Sequence, residues 1–174
     1  MICLQRITIY MSYLFLSQNN MTLKEYLNKW NFNSLRICIG FLDAELVFNA
    51  ADEKAAWEMY VELLTRIATQ PLEDNEGNEQ AALESIYSLF SVTRGILKDN
   101  GRSCIQFSKI AIIVLNQVIR PFTAKWHILS IQKAFDSPAQ CQAFRSELKD
   151  LQNELRKYTS MLSGIAQVED LTAM

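Results

Sequence analysis

The chain has 174 residues, with 17 Lys and Arg against 19 Asp and Glu for a net charge of -2, and its pI is near 5.5. That length suits one compact core, and the charge excludes a large, sequence-independent nucleic-acid surface while leaving room for a small basic cleft. Hydrophobic residues make up 49% and mean hydropathy is zero, yet no stretch reaches the roughly 20 uncharged apolar residues that a spanning helix needs.

The first stretch, MICLQRITIYMSYLFL, comes nearest to a membrane segment. Gln5 and Arg6 interrupt it, and its clean apolar part, with Ile7, Ile9, Leu14, Phe15 and Leu16, is too short to span. Residues 1–20 therefore read as an apolar N-terminal extension or a membrane-associated segment, and residues 21–174 as a single helical domain. Thr22 followed by Glu25 is a capping-box pattern and predicts a short helix to about Trp30. Residues 35–48, LRICIGFLDAELVF, alternate in two phases about Gly40 and predict one small β element, with a helix as the alternative.

From Asp52 the period becomes helical. Trp57, Tyr60, Val61, Leu64, Ile67 and Ala68 form the expected buried stripe, and Pro71 the expected end. After an acidic loop, a helix is expected over residues 79–98, with Ala82, Ile86, Leu89, Thr93 and Ile96 on one face, Leu83, Tyr87, Phe90 and Leu97 broadening it, and Asn100-Gly101 as the stop. Residues 104–119 hold the longest apolar run, IAIIVL, and read as a helix that kinks or ends at Arg120, with another starting at Pro121. Asp136-Ser137-Pro138 should open the last helix, to about Gly164. Phe144, Leu148, Leu151, Leu155, Tyr158 and Leu162 recur there at alternating spacings of four and three. Such a seam packs inside a bundle or against the same helix of a neighbour. The tail after it should fray unless something holds it. The expected architecture is mainly α: a bundle of four or five long helices.

Motifs for most enzyme classes are absent, and no cofactor is expected. Cys3, Cys38, Cys104 and Cys141 are far apart and lack zinc-ligand spacing, so reduced thiols are the simpler reading and no metal is expected. What remains is Arg120 and His127, the only histidine. Seven residues on a helix place both on one face, roughly 10 Å apart along the axis. An imidazole titrates near neutrality and a guanidinium matches a phosphate bidentately, so the pair suits phosphodiester chemistry. The structural readings are a core or carbonyl-bonded His127 and an Arg120 that caps a helix C-terminus.

RPFTAKWH, an Arg and a His with six residues between them at a helix break, resembles the HEPN superfamily. The resemblance implies a divergent HEPN-like bundle. In an active member it implies a dimeric, metal-independent ribonuclease in which His127 acts on the attacking 2′-hydroxyl or the leaving oxygen and Arg120 steadies the phosphate. More broadly, AAWEMYVELLTRIATQPL, ALESIYSLFSVTRGIL and VLNQVIRPFTAKWH together resemble the small accessory proteins of type VI-B CRISPR systems, over residues 22–171. That likeness implies a ring-shaped homo-oligomer forming a pore at the cytoplasmic side of the bacterial inner membrane, which it depolarises after an RNA-guided effector cuts viral RNA. Direct contact with RNA stays open, no DNA partner is implied, and a cytoplasmic location is the alternative. In such a pore, the segment at residues 2–16 or that at 107–119 would meet lipid.

Three functions follow as expectations. They are a membrane-associated antiviral effector, a HEPN-type ribonuclease acting through Arg120 and His127, and a helical adaptor whose 144–162 seam binds a partner helix.

Overall fold

The computed structural model describes residues 21–30, 46–72 and 76–172. Its elements are α1 (Leu23–Lys29), α2 (Ala50–Leu64), α3 (Glu79–Asn100), α4 (Ile105–Val114), a π-helical turn (Leu115–Ile119), α5 (Arg120–Ile131) and α6 (Pro138–Ala166). Short 3-10 turns, Gly101–Cys104 and Ala134–Asp136, precede α4 and α6. The fold is an all-α bundle built from four long helical segments: α2, α3, the continuous α4–π–α5 path, and α6. The small β element expected near residues 35–48 lies outside the described residues up to position 45, and residues 46–49 run as irregular chain. Ile7, Ile9, Leu14, Phe15 and Leu16 also lie outside them.

The helix starts follow local chemistry. The Thr22 hydroxyl accepts from the Glu25 N–H, and the Glu25 carboxylate accepts from the Thr22 N–H, closing the capping box. At α2 the N-cap is Asn49, ahead of the expected Asp52, because its side chain accepts from the N–H groups of Ala51 and Asp52. Asp52 is fully buried. One carboxylate oxygen takes the Asn49 N–H at 3.2 Å, and the other takes the Phe107 N–H at 2.9 Å, so a single side chain caps both α2 and α4. Ser137 and Pro138 open α6 as the sequence predicts.

The face that α2 buries differs from the expected stripe. Ala55, Ala56, Met59, Tyr60 and Leu63 are sealed, whereas Trp57 and Val61 are exposed. Close approach to α6, the most extensive helix pairing in the bundle, favours alanines at the contact and leaves the bulky indole outside. The helix also stops at Leu64, and turns carry the chain on to Pro71. On α3 the expected face is the observed one: Ala82, Ile86, Leu89, Thr93 and Ile96 are all buried.

The α6 seam is used up inside the molecule. Phe144, Leu148, Leu151, Leu155, Tyr158 and Leu162 are all buried in the chain's own core, so the seam packs inside the bundle, the first of its two expected readings. The segment at 107–119 is likewise core. Phe107, Ile110, Ala111, Ile113, Val114, Leu115 and Ile119 are buried, so most of its apolar surface faces the core, and Ile112 is the large hydrophobic it leaves exposed. Among the described residues, no helix is long and apolar enough to cross a membrane. The C-terminal tail is held rather than frayed: the Tyr60 hydroxyl donates to the Glu169 carbonyl and accepts from the Leu171 N–H.

Candidate functional site

Pro121 shapes the site. Within an α-helix its ring would clash with the carbonyl four residues back, and it has no N–H to donate. Here the chain stays helical and widens instead. Residues 115–119 form a π turn, in which the Arg120 N–H reaches back five residues to the Leu115 carbonyl. The expected kink or break at Arg120 is thus a π turn inside one continuous helix. Arg120 lies within this helical path rather than at a C-cap.

Downstream of that turn, Arg120, Thr123, Ala124 and His127 follow the i, i+3, i+4, i+7 rule and share one face of α5. Opposite them on α3 stand Tyr87, Phe90 and Arg94, with a matching i, i+3, i+7 spacing. These seven residues line a cleft of about 180 Å³. The structure therefore brings Arg120 and His127 together as the spacing predicts, and adds a second arginine and two aromatic rings.

Each side chain is held in a definable way. The Arg120 Nε donates to Asn116 Oδ1 at 2.9 Å, and its guanidinium carbon sits 5.1 Å from the centre of the Phe90 ring, a cation–π arrangement. Thr123 turns its hydroxyl inward, onto the carbonyls of Ile119 and Arg120. The His127 ring meets Tyr87 edge to face, with centroids 4.7 Å apart and planes at 87°. His127 Nε2 is buried and has no hydrogen-bond partner among the described residues. Arg94 is exposed and makes no ion pair or hydrogen bond among the described residues. Among the described residues, no carboxylate lines the cleft. A chain of net charge -2 thus sets two guanidiniums and its one imidazole around a cleft with no acid among its described lining residues.

Trp126, next to His127, points the other way. Its Nε1 donates to Glu147 of α6 at 3.0 Å, and its ring stacks on Phe135 and meets Phe144 edge-on in the core. Lys125 pairs with the same Glu147 at the surface.

Sequence reading assigned Tyr87 and Phe90 to a widened core stripe and gave Arg94 no role. The signal available was their spacing on α3, which repeats that of Arg120 to His127 on α5. That the two faces oppose each other is a tertiary fact.

A larger groove, about 690 Å³, runs between the N-terminal half of α6 and the segment around Pro71. Several of its polar side chains are occupied in holding the chain together. Arg145 pairs with Glu79, Gln152 donates to the carbonyls of Ile67 and Gln70, and Arg156 donates to the Thr69 carbonyl. Among the described residues, no cluster of His, Cys, Asp and Glu is arranged to hold a metal ion. No protein-family model matches the chain, and no curated protein or solved structure matches it either.

Proposed function

We propose that the α3–α5 cleft is a phosphodiester site and that the protein is a metal-independent, HEPN-type ribonuclease acting on single-stranded RNA. The observation that carries this reading is the composition of the cleft: Arg94, Arg120 and His127 together, with no acid among the described residues that line it. Guanidiniums with no counter-ion among the described residues favour an anion, and their planar donors match two phosphate oxygens at once. The His127 ring nitrogen that makes no hydrogen bond to the described residues is a buried polar atom that calls for an explanation, and proton transfer to or from RNA supplies one. In the reaction, the 2′-hydroxyl attacks the adjacent phosphorus and the bond to the 5′-oxygen breaks, leaving a 2′,3′-cyclic phosphate and a 5′-hydroxyl. His127 handles the proton that leaves the 2′-oxygen or the one that reaches the 5′-oxygen. Arg120 and Arg94 hold the charge that gathers on the phosphate.

The test is cleavage of labelled single-stranded RNA by wild type, His127→Ala and Arg120→Ala. The expected result is a cyclic-phosphate product from wild type and a loss of roughly a hundredfold or more with His127→Ala at unchanged helicity. Equal cleavage by wild type and His127→Ala would end the assignment.

A second reading, the oligomeric membrane-associated effector of antiviral defence, is favoured by one observation. Ile105 and Ile112 on α4, and Ile128 and Ile131 on α5, are all largely exposed, Ile131 at 82%. Exposed isoleucines on these two helices suit contact with further copies or with lipid. In that reading Arg120 and His127 serve structure or gating. Native mass measured by light scattering on separated membrane and soluble fractions tests it. A large, discrete oligomer present only after detergent extraction supports the pore, and a monomer or dimer without detergent rules it out.

A further inference from the structure

The cleft holds more aromatic surface than a phosphate site requires. Phe90 has a place already, beneath the Arg120 guanidinium. Tyr87 does not: its side chain is 54% exposed, at the rim of the cleft, and it makes no hydrogen bond among the described residues. Two neighbours fix its ring. Phe90 lies 5.7 Å away, tilted by 49°, and His127 lies 4.7 Å away at nearly a right angle. An aromatic ring left in water costs free energy, and this one is braced from two sides with part of its surface open. Arg94 stands seven residues further along the same helix, roughly 10 Å along the axis, and Arg120 faces both from α5.

Cations alternating with an exposed ring form the arrangement that holds a single strand without reading its sequence, because every base has a π face and every linkage a phosphate. We propose that Tyr87 is a stacking platform for one nucleobase of single-stranded RNA whose backbone phosphates are held by Arg94 and Arg120; this rests on the phosphodiester reading of the same cleft. Tyr87 is then a specificity-determining residue. It selects unpaired over duplex RNA, since a base inside a helix offers no free face, and it imposes little sequence preference.

The experiment uses the full chain and a short single-stranded RNA that is 2′-O-methylated, which removes the nucleophile so that binding is read without cleavage. One position carries 2-aminopurine, and a matched RNA carries an abasic site at that position. Wild type should bind the first RNA and quench its fluorescence. Tyr87→Ala should bind it roughly tenfold or more weakly and lose the quenching, while Tyr87→Phe keeps both. Tyr87→Leu preserves apolar packing against Phe90 without a π face. It should behave as Tyr87→Ala does, which guards against a loss caused by misfolding. The abasic RNA should bind wild type and Tyr87→Ala alike. If Tyr87→Ala and Tyr87→Leu match wild type while Arg94→Ala and Arg120→Ala weaken binding, stacking is overturned and the phosphate site stands. If wild type binds neither RNA, the phosphodiester reading falls, and the stacking proposal with it.

Discussion

Tyr158 carries a fully buried hydroxyl with no hydrogen-bond partner among the described residues, and burial pushes its phenol far up. An unsatisfied polar atom in a core costs more than the absence of that atom, so Tyr158→Phe should raise stability by about 1 kcal/mol, seen as a higher urea midpoint at an unchanged slope. Tyr26 points the same way in its titration. Burial lifts its pKa to about 12 from 10.0, with Trp30 acting weakly in the opposite direction. Folded Tyr26 therefore keeps its proton where the unfolded chain has lost it. The unfolded state binds fewer protons over that interval, so stability should fall as pH rises from about 10 to about 12 and be insensitive to Tyr26 below it. Urea unfolding across that window checks the sign, and a Tyr26→Phe chain should show a shallower decline. At this scale the sequence located Arg120 and His127 as a pair, because helical spacing alone sets which side chains share a face. It did not reveal that Asp52 is buried, since an acid at a helix start reads as solvated until a second helix brings its own unpaired N–H to it.

At the scale of elements, Asp52 is the joint between α2 and α4. Asp52→Ala removes a cap from each helix and leaves two N–H groups without their acceptor. The expected loss is about 2–4 kcal/mol in urea unfolding, more than a single cap substitution gives. The helix starts at Thr22 and Ser137 and the stop at Asn100-Gly101 were legible because caps act over three or four residues; Gly101 has the positive φ, 63°, that ends α3. The π turn before Pro121 was not. Proline announces that the α-helical ladder must change, but whether the helix ends, kinks or widens depends on what its flanks pack against. With Ile110, Ile113 and Val114 buried before it and Phe122 and Trp126 after it, the helix is clamped on both sides and widens.

For the whole molecule, the deciding contact is α6 laid along α2. Leu155 is fully buried there, so Leu155→Ala should cost about 2–5 kcal/mol, while the native mass of the folded protein stays that of wild type. A change in mass without loss of stability would mean that the seam faces another copy. The sequence by itself determined an α-rich chain, the faces of α3 and α6, most of the helix boundaries, and the shared face of Arg120 and His127. Each of these depends on residues within one or two helical turns of each other. Only the tertiary structure decided which face of α2 is sealed, because Trp57 and Val61 are as apolar as their neighbours and close packing, not hydropathy, chose the alanines. Only it decided that the α6 seam turns inward, since a heptad pattern records that a partner exists and not whose helix it is. And only it set Tyr87 and Arg94 across from Arg120 and His127, where two helices far apart in the chain bring their charges and rings into one cleft.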